Sequence, residues 1–337
     1  MKTRLPLRRE QFHETPSTLL QNEYFHVELF RYPAGVEAVR IRNQRGTVIV
    51  LPFYGQMVWD ATFDGHSLTM GHSFKQPLLG SSIIDTYGCF AFHSGLLANG
   101  CPAPDDDHPL HGEMACARMD SAWMVLEQDR VSLEGEAEYV KGFGHHYLAS
   151  PAVRLHANTP RLHIEMNITN LAGAPMPLQY MCHLNSAWLG NGRFKQSIPQ
   201  DAFKLRTSIP AHVKPTPQWS AYTEQLARDP QALQQLDQPA MCDPEIVFFA
   251  DDLAQYGNEV QFELHAPEGY ALMTRFDSRQ FPHATRWLLH NHDQQVAAYV
   301  LPSTCRPEGL KAAQRAGTLI ELIPGEQRHF SVETGIL

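Results

Sequence analysis

The chain reads as a large antiparallel all-β sandwich. Three features of the sequence carry that expectation: two-residue alternation in most readable segments, turn-forming clusters between them, and a scarcity of helical periodicity. Alternation is clearest over 161–169, where Leu162, Ile164, Met166 and Ile168 share one face and Arg161, His163, Glu165 and Asn167 the other. A strand with one face on a core and one in water has this pattern. Residues 131–139, 260–264 and 330–332 repeat it, while 47–51 and 246–249 are apolar on both faces and predict more fully buried strands.

Between these segments lie clusters such as Tyr32-Pro33-Ala34-Gly35, Asn43-Gln44-Arg45-Gly46, Leu171-Ala172-Gly173-Ala174-Pro175 and Pro324-Gly325-Glu326. Each supplies the residues that tight turns require. One helical stretch stands out, over about 223–236, with Leu226, Leu233 and Leu236 near helical spacing; Pro230 is expected to divide it and Asp229 to cap the second piece. It reads as a helical insertion near 223–237 on the sandwich. With no linker, repeat or composition shift, the chain is expected to form one domain, 1–337.

Hydrophobic residues at 43% and charged residues at 19% provide ample material for a core and argue against disorder. The net charge of −9, without a basic run, gives no footprint for nucleic acid or for an anionic membrane surface. The basic residues 1–10 precede no apolar segment, and no stretch has the roughly 18 apolar residues of a membrane span, so a cytoplasmic protein is expected. Six scattered cysteines without a C-x-x-C pair predict reduced thiols rather than a metal ribbon or a disulfide framework. No hydrolase elbow, phosphate loop or dinucleotide fingerprint is present.

Of eighteen histidines, His111 and His183 have constraining surroundings. His111 lies in His108-Pro109-Leu110-His111-Gly112-Glu113, where proline fixes the approach and glycine permits backbone to pass close to a ligand. His183 lies in Gln179-Tyr180-Met181-Cys182-His183-Leu184-Asn185, a strand mixing aromatic and polar groups. Each, taken singly, also reads as a structural histidine bonded to a neighbour.

The Leu110-His111-Gly112 step, the downstream strand ending Ile168-Thr169-Asn170, and His183-Leu184-Asn185 together resemble the galactose mutarotase (aldose 1-epimerase) superfamily, closest to a bacterial branch with a Gly95-Leu96-Leu97-like loop. The resemblance continues through the 276–282 segment with Trp287 and ends at Leu322-Ile323-Pro324-Gly325-Glu326. It implies a galactose mutarotase-like supersandwich with a sugar bound in a cleft on one concave sheet.

It also implies mutarotation. A base takes the anomeric hydroxyl proton while an acid protonates the ring oxygen, and histidine suits the acid because its pKa lies near working pH. The resemblance places the general acid at His183 and a sugar-contacting histidine at His111; Asp277, Asn185 and Trp287 are expected as further substrate contacts, and His93 or Asn99 in place of an arginine that the family keeps before the Leu-His-Gly step and this sequence lacks. The family's base glutamate falls at Leu301, which accepts no proton; Glu308 and Asp277 are the nearby substitutes, and Glu308 is assigned the catalytic role.

The expected partner is a sugar or sugar derivative, handled by a monomer or homodimer without cofactor or metal. Two alternatives stay open. One is a non-catalytic carbohydrate-binding protein of the same fold, suggested by the missing glutamate and by Trp188 and Trp287 as stacking platforms. The other is a cupin-like metal enzyme using His108, His111 and Glu113, which requires that loop to curl.

Overall fold

The computed structural model describes residues 2–210, 213–229 and 232–337. Alternating sequence becomes strand in every segment named above. The 161–169 pattern lies in the strand Arg161–Asn170, and the 131–139 pattern in Arg130–Val140. The 330–332 motif is the middle of a ten-residue strand, Gln327–Ile336. Two antiparallel sheets result, one of nine strands and one of fourteen. Leu133, Val153, Ile164 and Met166 of the first and Val27, Val39 and Val48 of the second belong to one buried cluster between them. The architecture is a large antiparallel sandwich.

The site is built on the larger sheet, where five strands lie side by side in the order Ile246–Ala250, His283–His290, Gln294–Ser303, Met176–Leu184 and Ala91–Leu96. One face of these strands packs on the smaller sheet: Tyr180 rests on Phe330, and Arg286 reaches Gln196. Residues of the opposite face line a cavity. An irregular pairing between His283–His290 and Gln294–Ser303, where Thr285 faces Leu301 but Trp287 faces Ala298, inserts an extra residue into the latter strand. The bulge breaks the alternation. Tyr299 therefore points between the sheets, its hydroxyl 2.8 Å from Thr274 Oγ1, while Leu301, two residues on, faces the ligand side.

The helical insertion runs Pro217–Arg228, beginning earlier and ending earlier than the 223–236 periodicity predicts. Thr216 caps it through Trp219 N at 3.1 Å, and Pro217 at its first turn needs no hydrogen-bond partner for a missing N–H. Trp219, Tyr222 and Leu226 are its buried face. Asp229 is the residue after its last turn, and Pro230 lies outside the described residues. Leu233 and Leu236 are buried in non-helical chain. All six cysteines are unpaired thiols, and no helix of the described residues is long and apolar enough to cross a membrane.

Candidate functional site

Alternation on two neighbouring strands decides which side chains meet. On Met176–Leu184, Met181 and His183 face the ligand side, and Tyr180 and Cys182 face the core. On Ala91–Leu96, Phe92 stacks on His183 with ring centroids 4.4 Å apart, and Ser94 Oγ lies 3.0 Å from His111 Nδ1. His111 arrives from the loop that follows that strand, and its ring centre is 4.8 Å from that of His183 in an edge-to-face arrangement. Two imidazoles 72 positions apart thus share one wall of a cavity of about 560 Å3.

The turn that delivers His111 depends on left-handed backbone. His111 has φ +61° and Gly112 φ +75°. A Cβ on Gly112 would sit 2.2 Å from the Ala98 carbonyl oxygen and 2.4 Å from that of Gly95. The close approach that glycine permits here is to the protein's own backbone, rather than to a ligand as its sequence context suggests.

His183 is 3% exposed. Burial, reinforced by the neighbouring His111, holds its pKa well below the usual histidine value, with the Asn185 side chain acting in the opposite direction. Its Nε2 lies 3.3 Å from the Tyr87 hydroxyl. Trp287 stands edge-on to both His183 and Tyr87 at 5.8 and 5.9 Å.

The same cavity is lined by a carboxylate that the sequence alone did not single out. Glu245 precedes the strand Ile246–Ala250 and lines the cavity although it is only 7% exposed. Its Oε2 accepts from Trp287 Nε1 at 2.7 Å and its Oε1 from Arg206 at 2.6 Å. Its carbonyl accepts from Trp219 Nε1 at 2.8 Å, which ties it to the helical insertion. The signal available in the sequence was weak: an acidic residue immediately before an apolar strand.

The remaining expected residues separate into three groups. Leu301, where the resemblance expects a glutamate, lines the cavity beside Thr285 and supplies no proton acceptor. His93 and Asn185 are buried away from the cavity. His93 alternates onto the core face, with Nδ1 2.8 Å from the Tyr180 hydroxyl, and burial brings its pKa down to about 3. Asn185 donates to the Cys89 carbonyl at 2.9 Å.

Asp277 and Glu308 are elsewhere. Asp277 ends a strand of the smaller sheet and is paired with Arg279, whose hydrogen bond holds its carboxyl below the usual range. Glu308 accepts from Ser208 at 3.1 Å and lines a separate cavity of about 430 Å3 with Asp251, His283 and Arg306. Trp188 packs on His290 rather than lining the ligand cavity.

The three donors of the metal alternative go to different partners. Glu113 accepts from Tyr147 at 2.6 Å and from the Leu96 and Leu97 amides, His111 meets Ser94, and His108 lies beside the Pro109 carbonyl and Asp106. They do not converge. No cluster of three His, Cys, Asp or Glu side chains with metal-binding geometry occurs among the described residues.

Comparison with solved structures identifies the architecture. A candidate aldose 1-epimerase from Klebsiella pneumoniae superposes with a TM-score of 0.82 at 14% identity, covering 100% of this chain and 92% of that one. A galactose mutarotase-like protein from Clostridium acetobutylicum gives 0.63 at 14% identity, with coverage of 94% and 99%. A candidate aldose 1-epimerase from Escherichia coli K12 gives 0.54 at 14%, with coverage of 100% and 99%. At these identities the likeness establishes the fold, which is galactose mutarotase-like. A family model described as a domain of unknown function (DUF4432) matches residues 208–336, a span that holds Glu245, Thr285, Trp287 and Leu301 but neither cavity histidine. None of the curated proteins matches the sequence.

Proposed function

We propose that the cavity binds a sugar and that the protein interconverts its anomers as an aldose 1-epimerase-like enzyme. One observation carries the reading: two imidazoles and a buried carboxylate, from chain segments distant in sequence, line a single cavity of monosaccharide scale or larger. Proton donor and acceptor must reach the same small molecule, and a shared cavity meets that condition.

In this mechanism Glu245 takes the proton of the anomeric hydroxyl. The freed electron pair forms the C1 carbonyl, the bond from C1 to the ring oxygen breaks, and that oxygen takes a proton from the His183 imidazolium. Rotation about the C1–C2 bond and the reverse sequence give the other anomer and return both protons. Trp287 and Arg206 donate to Glu245 and hold its carboxylate at the cavity wall. His111 and Trp287 contribute binding, the indole as an apolar wall for a sugar face. Proton transfer supplies the whole reaction, so the mechanism calls for no cofactor.

The test is exchange NMR on a panel of aldoses. His183→Ala is expected to reduce anomer exchange by a factor of about 100 or more while the circular dichroism spectrum is retained. An unchanged rate in a folded variant would sink the assignment.

Leu301 in the family glutamate's place favours a second reading, sugar binding without catalysis. Calorimetric binding of a sugar whose anomers exchange no faster with protein than without would select it.

A further inference from the structure

The second cavity, of about 430 Å3, shares no lining residue with the first. Strand pairing builds one of its walls. Ala250 pairs with Ala284, so Asp251 and His283, each one residue further toward the strand ends, are brought side by side. Arg306, three residues beyond the end of Gln294–Ser303, pairs with Asp251 and lies over the Phe249 ring. Another wall is the short helix Leu310–Ala316, whose Ala312, Ala313 and Ala316 present only methyl groups and leave the space open. Asp252, Glu308 and Thr318 complete the lining.

The Asp251–His283 pair sets the chemistry here. His283 is 7% exposed, and its Nδ1 lies 2.7 Å from Asp251 Oδ1. A carboxylate paired with arginine only accepts, so Nδ1 carries the ring proton and Nε2 of the neutral ring is an acceptor. No described residue bonds Nε2, and the atom keeps accessible surface in a ring that lines the cavity. Buried polar groups are almost always bonded, so an open acceptor in a cavity wall points to a donor supplied from outside. Arg306 is the one guanidinium or ammonium group in the lining, and Asp251 matches its charge. Asp252 and Glu308 remain as acidic groups with no ion pair of their own among the described residues; Glu308 Oε1 accepts only from the neutral Ser208 hydroxyl. No three of these side chains are placed to hold a metal ion, and acceptors spread over a space of this size suit an organic molecule.

We infer that this cavity is a second ligand site, taking a small organic amine whose N–H groups are accepted by His283 Nε2, Glu308 and Asp252. An ammonium group carries donors alone, and each of the three residues offers it an acceptor. Hydrogen bonds between ionised partners are roughly twice as strong as neutral ones, so the two carboxylates favour a cation over an uncharged ligand of the same shape. They repel an anion, and the arginine that would attract one is already occupied by Asp251. The inference is independent of the sugar reading. Arg306-Pro307-Glu308 is the boundary between the two cavities, with Pro307 lining the first and its two neighbours the second.

The experiment is calorimetric titration of the full chain with three molecules of one length and different charge: 1,4-diaminobutane, 1,4-butanediol and succinate. The diamine is expected to bind at one saturable site, about tenfold or more tightly than the diol, and succinate is expected not to bind. In NMR of the histidine ring nitrogens, the diamine is expected to move the His283 signals and leave those of His111 and His183 in place. Asp252→Asn combined with Glu308→Gln is expected to weaken the diamine by about tenfold or more. Asparagine tolerates the left-handed backbone at 252, where φ is +51°, and neither side chain is buried, so the variant keeps the fold. A diamine that fails to bind, or that binds the double variant undiminished, would overturn the inference. So would unmoved His283 signals on diamine binding, or a diol or succinate that binds as tightly as the diamine.

Discussion

His183 occupies a position whose environment opposes the charge that acid catalysis requires. Burial and the adjacent His111 favour the neutral ring, so at neutral pH only a small fraction is imidazolium. If His183 is the proton donor, that fraction grows as pH falls, because the protonated form accumulates on approach to a pKa below the usual value. The expected profile rises by close to tenfold in kcat/KM for each pH unit lowered between about pH 8 and pH 6. Stopped-flow polarimetry measures it, and a flat profile or a fall toward acid would remove His183 from the donor role. Glu245→Gln keeps one acceptor oxygen, for either Trp287 or Arg206, and removes the proton acceptor. The expected loss is about 100-fold or more in kcat with a much smaller change in KM. Equal effects on sugar binding and turnover would instead make Glu245 a binding group.

Two elements, neither of them a strand, complete the site. The loop after Ala91–Leu96 delivers His111 through a left-handed turn whose Gly112 leaves no room for a side chain. Gly112→Ala must either move the Ala98 and Gly95 carbonyls or unwind the turn, and the expected cost is about 2 kcal/mol or more of stability. The displaced His111 is expected to raise KM for any sugar substrate. Urea unfolding together with Michaelis kinetics checks both, and a variant with parental stability and KM would show that the turn is not under this constraint. The helix Pro217–Arg228 holds the other side: Trp219 donates to the Glu245 backbone, so an insertion peripheral to the sandwich helps to set the carboxylate.

Across the whole molecule, buried histidines set the response to acid. His93 lies in the core with a pKa brought down to about 3 by burial, and that of His183 is displaced in the same direction. In the unfolded chain both titrate near 6.5. The folded state therefore binds fewer protons than the unfolded one below that pH. The stability contribution is complete above about pH 6.5 and is lost as pH falls toward the folded values, at about 1.4 kcal/mol per pH unit for each histidine once well below 6.5. Asp251 adds to the loss only at lower pH. Burial pushes its carboxyl up, but His283 and Arg306 outweigh that and hold it well below the usual range, so its contribution is lost below about pH 4. Urea midpoints measured at successive pH values from neutral to about 4 are expected to fall steadily. His93→Gln is expected to flatten the slope by one histidine's share, and an unchanged slope would show that His93 is not buried neutral.

Alternation is a local property, since successive residues of a strand point to opposite faces whatever the strand pairs with. The sequence by itself therefore determined the all-β class, the strands that its alternation marked, and the two histidines, which local context marked out. By resemblance it also aligned Leu301 with a catalytic glutamate, and Leu301 lines the cavity. What Asp277, Glu308 and Glu245 do depended on which strands become neighbours and which face each presents, and those are sums over contacts between residues far apart in the chain. One bulge near Tyr299, invisible to periodicity, turns Leu301 toward the cavity and Tyr299 toward the core. Tertiary structure alone decided that the carboxylate sharing the cavity with His183 is Glu245, and that Thr285 Oγ1 is left without a partner inside the protein, because only folding brings separate strands within hydrogen-bonding distance.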